Sequence, residues 1–168
     1  MGRSQRIIII TLSTALLAVL AVIAAVACLG TGRTSGGQFT KPSFEPLVVV
    51  GSPNIPDESL SYQTLWLSDG FQVSLCTNLF LQRDSNNVDI YFTSGPDNTV
   101  LSRIILLDET GAELGSSGLL KPGEYVQSVA LERIPPKSSS ILAKILSYEP
   151  QTYYSMGSAS AEIYLHIV

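Results

Sequence analysis

The run from Ile7 to Leu29, IIIITLSTALLAVLAVIAAVACL, holds 23 residues without a single charge, and Thr11, Ser13 and Thr14 are its most polar members. At about 1.5 Å per residue such a helix is roughly 34 Å long, against a hydrocarbon core of about 30 Å. The segment reads as a membrane-spanning helix, because helices and closed barrels alone satisfy their backbone inside lipid. Arg3 and Arg6 precede it, while Arg33 and Lys41 are the bases that follow closely. This bias predicts a single-pass signal-anchor, with residues 1–6 cytoplasmic and everything past residue 29 outside. Two other readings stay open. A cleaved signal peptide has a shorter apolar region, of about 7 to 15 residues. Val26-Ala27-Cys28 ends like a bacterial lipobox and makes Cys28 the candidate for lipidation, although Ala25 stands where that pattern usually has leucine. In the spanning reading Cys28 is simply a small apolar residue of the helix. All three readings put the rest of the chain outside the cytoplasmic membrane.

That remainder is long enough for one domain with a real core and too short for two. Beyond residue 29 it carries eight bases against fourteen acids, a net charge of −6. A nucleic-acid binder needs a basic surface that releases counterions from phosphate, so nucleic acid is not expected as a partner. With His166 the sole histidine and Cys28 and Cys76 the two cysteines, most routes to a zinc centre or a Cys-His enzyme are closed. No metal and no cofactor are expected.

Residues 30–59, GTGRTSGGQFTKPSFEPLVVVGSPNIPDES, are rich in glycine, proline and small polar residues and read as a flexible stalk. Within them Leu47 to Val50 is strand-like, closed off by Gly51 and Pro53, and is expected to pair with the domain edge. From Ser61 onward the apolar period is two, and no stretch of eleven residues keeps the three-and-four spacing of a helix. Tyr62 to Ser68 meets Asp69-Gly70, a hairpin signal, and continues into Phe71 to Cys76. Leu79 to Arg83 extends that second strand. Val88, Ile90 and Phe92 face inward on the next one. Ile104 to Leu107 is continuous enough for a central strand buried on both faces. Asp108-Glu109-Thr110-Gly111 returns the chain into Ala112 to Leu114. Lys121-Pro122-Gly123-Glu124 matches a type II turn, with φ preset by Pro122 and the positive φ taken by Gly123. Strands at Tyr125 to Leu131, Ile141 to Tyr148 and Ala159 to Ile167 complete about seven. The prediction for residues 60–168 is an all-β, immunoglobulin-like or fibronectin-type-III-like sandwich with no disulfide, since Cys76 is alone in it.

The stretches Leu106 to Gly111, Ser117 to Val126 and Tyr148 to Ser155 resemble those of small single-pass membrane-anchored proteins of Gram-positive bacteria with an uncharacterised extracytoplasmic immunoglobulin-like β-domain. The resemblance covers residues 60–168. It implies localisation and carries neither an activity nor a catalytic residue.

Chemistry has few footholds. Asp84, Asn86, Asn87 and Asp89 offer oxygen to calcium, but a solvated turn has the same composition. Asp97 and Glu124 are acids of the kind a glycoside hydrolase pairs, and nothing in the sequence selects them. His166 reads as an exposed strand residue and Cys76 as a half-buried one. No Gly-x-Ser-x-Gly nucleophile elbow occurs. The best candidate for binding is the aromatic loop of Tyr148, Tyr153, Tyr154 and Met156, since loops on a rigid sandwich carry recognition and tyrosine supplies contact area at low entropic cost. Its bland counterpart is a tyrosine that pins a corner through the backbone. The expected function is a non-catalytic, membrane-anchored module. It contacts the bilayer through residues 7–29 and another envelope or surface protein, or a glycan, through its head. The alternatives are an envelope hydrolase with scattered carboxylates, or a structural subunit assembled by strand addition, with Val48 to Val50 as the donated strand.

Overall fold

The computed structural model describes residues 40–67 and 70–168. The expected membrane helix, Cys28, residues 30–39 of the expected stalk and the turn residues Ser68 and Asp69 lie outside the described residues. From Lys41 to Val168 the chain forms a compact unit. Residues 41–59, read from the sequence as stalk, therefore belong to it.

The unit is all-β and built of two five-stranded sheets, as in a β-sandwich. In chain order the strands are β1 (Val48–Val50), β2 (Tyr62–Trp66), β3 (Gln72–Cys76), β4 (Asn78–Leu81), β5 (Asn87–Ser94), β6 (Leu101–Leu107), β7 (Glu113–Ser116), β8 (Glu124–Ala130), β9 (Ser139–Tyr148) and β10 (Ser155–Ile167). One sheet has the order β1-β8-β5-β3-β2 and the other β4-β10-β9-β6-β7. All pairings between these strands are antiparallel except that of β4 with β10.

Alternation decides what lies between the sheets. Val73, Leu75, Val88, Ile90, Phe92, Ile104, Leu106, Ile145 and Leu165 are buried there without a disulfide. Each such side chain contributes about 1.5–3 kcal/mol by leaving water. The two predicted turns form as their residues require. Glu124 N–H donates to Lys121 O at 3.1 Å with Gly123 at φ 77°, so proline and glycine occupy the central positions of a type II turn. At the other, Asp108 Oδ1 accepts from the Thr110 and Ala112 N–H groups, both at 2.9 Å, and from the Thr110 hydroxyl at 2.6 Å. Asp108 Oδ2 also receives Arg133 at 2.7 Å.

Four expectations need correction. Residues 60–168 hold nine strands rather than about seven, the continuation past Cys76 being a strand of its own, while Val48–Val50 forms the edge strand expected of it. Leu79 to Arg83 does not extend the strand before it: the chain crosses at Thr77 from one sheet to the other, and β4 then runs parallel to β10. From Ile104 to Leu107 β6 is buried on one face, with Ile104 and Leu106 fully inside and Ile105 and Leu107 half-buried, because strand alternation turns these two to the other side of the sheet. Cys76 is fully buried instead of half-buried. It pairs with Tyr62, whose hydroxyl reaches Thr93 Oγ1 at 2.7 Å across that face. Burial, with Asp89 nearby, pushes the Cys76 thiol up to about 11.

Val48–Val50 pairs with β8 of its own chain. The segment before it is strapped down as well. Leu119 N–H donates to Ser43 O at 2.9 Å, Glu45 N–H to Leu119 O at 3.0 Å, and Gly118 N–H to Glu45 Oε2 at 2.8 Å. A side chain at position 118 has no room, since a Cβ there falls 2.4 Å from Glu45 N.

Candidate functional site

The aromatic loop sits where the sequence puts it, between β9 and β10. It is closed on itself: Tyr153 N–H donates to Glu149 O at 2.8 Å and Glu149 N–H to Tyr154 O at 3.0 Å. Glu149 Oε2 accepts from Thr152 N–H at 2.6 Å and from Gln151 N–H at 3.1 Å. Bonding to Thr152, side chain first, then backbone, holds the Glu149 carboxyl below the usual range. This loop is therefore a rigid tip on a long hairpin.

Its four candidate residues have different roles. Tyr153 adopts φ 61°, a strained conformation for a bulky residue, and turns toward the strap. Phe44 meets its ring edge-on at 6.2 Å and Lys41 Nζ lies 3.7 Å from its centroid. Tyr153 thus holds the loop to the strap through its ring rather than through a hydroxyl bond to backbone. Tyr148, half-buried, closes the base of the hairpin opposite Ser155 and Leu101. Tyr154 and Met156 point outward, each 62% exposed.

Met156 also lines a groove of about 270 Å³ at the same end of the sandwich. Leu67 and Phe71, flanking the β2–β3 turn, form one wall and Ile145 and Ala159 another. Beneath it, Asn98 anchors the start of β3 in the manner of a neighbouring strand. Its Oδ1 accepts Gln72 N–H at 2.8 Å, and its amide donates to Gln72 O at 2.7 Å and to Ser94 Oγ at 3.1 Å. Neither Asn98 nor the groove was singled out by the sequence, in which Asn98 is one more polar turn residue. Trp66, next to Leu67 on an edge strand, is 72% exposed and was likewise missed. An aromatic at an outward position of an alternating strand was the available signal.

The other sequence candidates stay apart. Asp89 Oδ1 accepts from Ser128 Oγ at 2.7 Å, and Asn87 N–H bonds Ser85 Oγ at 3.0 Å, so the loop once considered for calcium is organised by its own hydrogen bonds. Among the described residues no three acids, histidines or cysteines gather as a metal site would need. Glu124 Oε2 accepts Lys121 N–H at 2.7 Å, and Asp97 lines the groove. His166 is half-buried rather than exposed, stacked on Phe80 at 4.7 Å and tilted against Tyr164 at 4.6 Å.

Fold and site together define a two-sheet β module whose exposed tip carries Tyr154 and Met156 beside a groove. No protein-family model matches the chain, and a search of curated proteins finds no match.

Proposed function

We propose that this protein is a non-catalytic interaction module of the cell envelope. It is held by a spanning helix at residues 7–29, with residues 1–6 inside and the β domain outside, and it uses the tip of the β9–β10 hairpin to contact another envelope or surface protein. The sandwich is read as immunoglobulin-like. Supporting this are the strand that changes sheets at Thr77 and the parallel pairing of its second half with the last strand. The resemblance to anchored proteins of Gram-positive bacteria, the apolar run and the charge bias around it support the placement. The residues between the helix and Lys41 serve as the stalk.

One observation carries the reading: Tyr154 and Met156, large and 62% exposed, stand on a loop held rigid by Glu149. Tyrosine, with two χ angles, loses little entropy on binding and is a usual anchor of an interface, and the flexible methionine thioether adapts its apolar surface to a partner. The test is made in intact cells, in two parts. Protease added from outside should degrade the domain, and its survival until the cells are opened would reverse the topology. Crosslinking should yield adducts with the wild type that fall at least about fivefold when Tyr154 and Met156 are both changed to alanine, and an unchanged adduct pattern would remove the tip from the interface.

A further inference from the structure

The crossing at Thr77 has a structural price at the opposite sheet. β4 accompanies β10 from Tyr164 to Ile167 only, so among the described residues Ser155–Ile163 has β9 as its one neighbouring strand. Tyr164 N–H donates to Thr77 O at 2.8 Å and Val168 N–H to Leu81 O at 3.0 Å, so the even-numbered residues of β10 turn their backbone groups toward β4. Strand alternation then directs the N–H and C=O groups of Ser158, Ser160 and Glu162 to the side where β4 is missing. The groove lined by Leu67, Phe71, Ile145, Met156 and Ala159 reaches β10 at Gly157 and Ser158, with Asp97 the one charged residue among its described lining.

The geometry points to a strand-addition site: the open edge of β10 takes an extended segment of a partner protein, apolar at alternate positions and carrying a lysine or arginine that meets Asp97. Backbone pairing with Ser158, Ser160 and Glu162 supplies the binding, and the incoming side chain beside Ser158 enters the groove. Gly157, Ala159 and Ala161 leave room for the strand. Natural edge strands are commonly guarded by lysine, proline or inward-pointing charge, and the stretch from Gly157 to Ala161 has none of these. A basic residue in the segment is favoured because the groove offers it a carboxylate and no competing base, on a domain whose residues 41–168 carry seven bases against fourteen acids. The inference rests on the reading of the protein as an interaction module and assigns that module its second contact.

The test uses the full chain in detergent micelles and a fluorescent synthetic peptide, Lys-Val-Ser-Val-Thr-Val-Gly, with a control peptide in which the middle valine is N-methylated. Saturable binding of the first peptide and at least tenfold weaker binding of the second are expected. Ser160→Pro deletes an N–H that faces away from β9, a change an edge strand accommodates, and should weaken binding at least tenfold, whereas Ser160→Ala should not. Asp97→Asn should weaken the lysine peptide about threefold or more and leave a glutamine-for-lysine peptide unaffected. Amide exchange at Ser158, Ser160 and Glu162, fast in the free protein, should slow when the peptide is added. Equal binding of the two peptides, equal binding to Ser160→Pro, or unchanged exchange at those three amides overturns the proposal. Should Ser160→Pro misfold, the exchange measurement on the wild type decides alone. Cellular adducts that vanish with Tyr154→Ala while no peptide binds would leave the interaction module standing and remove strand addition.

Discussion

Asn98 shows how one side chain replaces a length of strand. β3 begins at Gln72, whose N–H donates to Asn98 Oδ1 while its C=O accepts both the Asn98 amide and, at 2.9 Å, the Gly95 N–H. Asn98→Ala leaves the Gln72 N–H and Ser94 Oγ without that partner, while Gln72 O keeps the Gly95 N–H, at about 1–3 kcal/mol for each unsatisfied group. The expected outcome is a loss of about 2 kcal/mol in urea unfolding, with the β2–β3 turn loosened over the groove. A loss below about 0.5 kcal/mol would mean that water takes the place of the amide. Tyr153 and Tyr154 make the related point that neighbours in sequence part company in space. One is held by Phe44 and Lys41 and the other faces outward, a division set by the positive φ of Tyr153, which no propensity scale assigns to tyrosine.

Among the elements, the β6–β7 hairpin depends most visibly on one ionised group. The hydroxyl of Thr110, the Ala112 and Thr110 amides and Arg133 hold the Asp108 carboxyl below its ordinary value of 3.8. A carboxylate with a depressed folded pKa stabilises the native state above its unfolded value, and that contribution disappears as pH falls through the folded value. Asp108→Asn should therefore melt a few degrees below the wild type at pH 7, with the gap closing from about pH 4 downward. Parallel melting curves measured from pH 7 to pH 2 check this, and a gap independent of pH would assign the loss to geometry instead of charge. β10 is the contrasting element. Its end is tied to β4 and the stretch before it is open, and the odd positions change with it, from Gly157, Ala159 and Ala161 to Ile163, Leu165 and Ile167, while the period of two runs on.

For the whole molecule, the strap from Lys41 to Val50 decides how far the domain extends. It reaches both sheets, through Leu119 and Tyr153 on one side and through β8 on the other, and its passage requires glycine at 118 for space rather than for backbone freedom. Gly118→Ala should displace residues 43–45 and lower stability by roughly 2 kcal/mol. Amide exchange at Glu45 and Leu119 should quicken while that of β5 and β9 stays slow. Uniformly faster exchange would show that the strap is part of the cooperative core.

The period-two pattern, the turns at Asp108–Gly111 and Lys121–Glu124, the inward face of β5 and the site of the aromatic loop were all readable from the chain, because each depends on residues a few positions apart. Sheet membership was not, and with it went the crossing at Thr77, the open half of β10, the groove and the burial of Cys76. Those depend on which distant segment wins the competition to cover a given apolar face. Thr77 meets Tyr164, and Glu45 meets Gly118, only once the two sheets have closed on their common core. Local geometry wrote the strands and their turns, and long-range burial chose their neighbours.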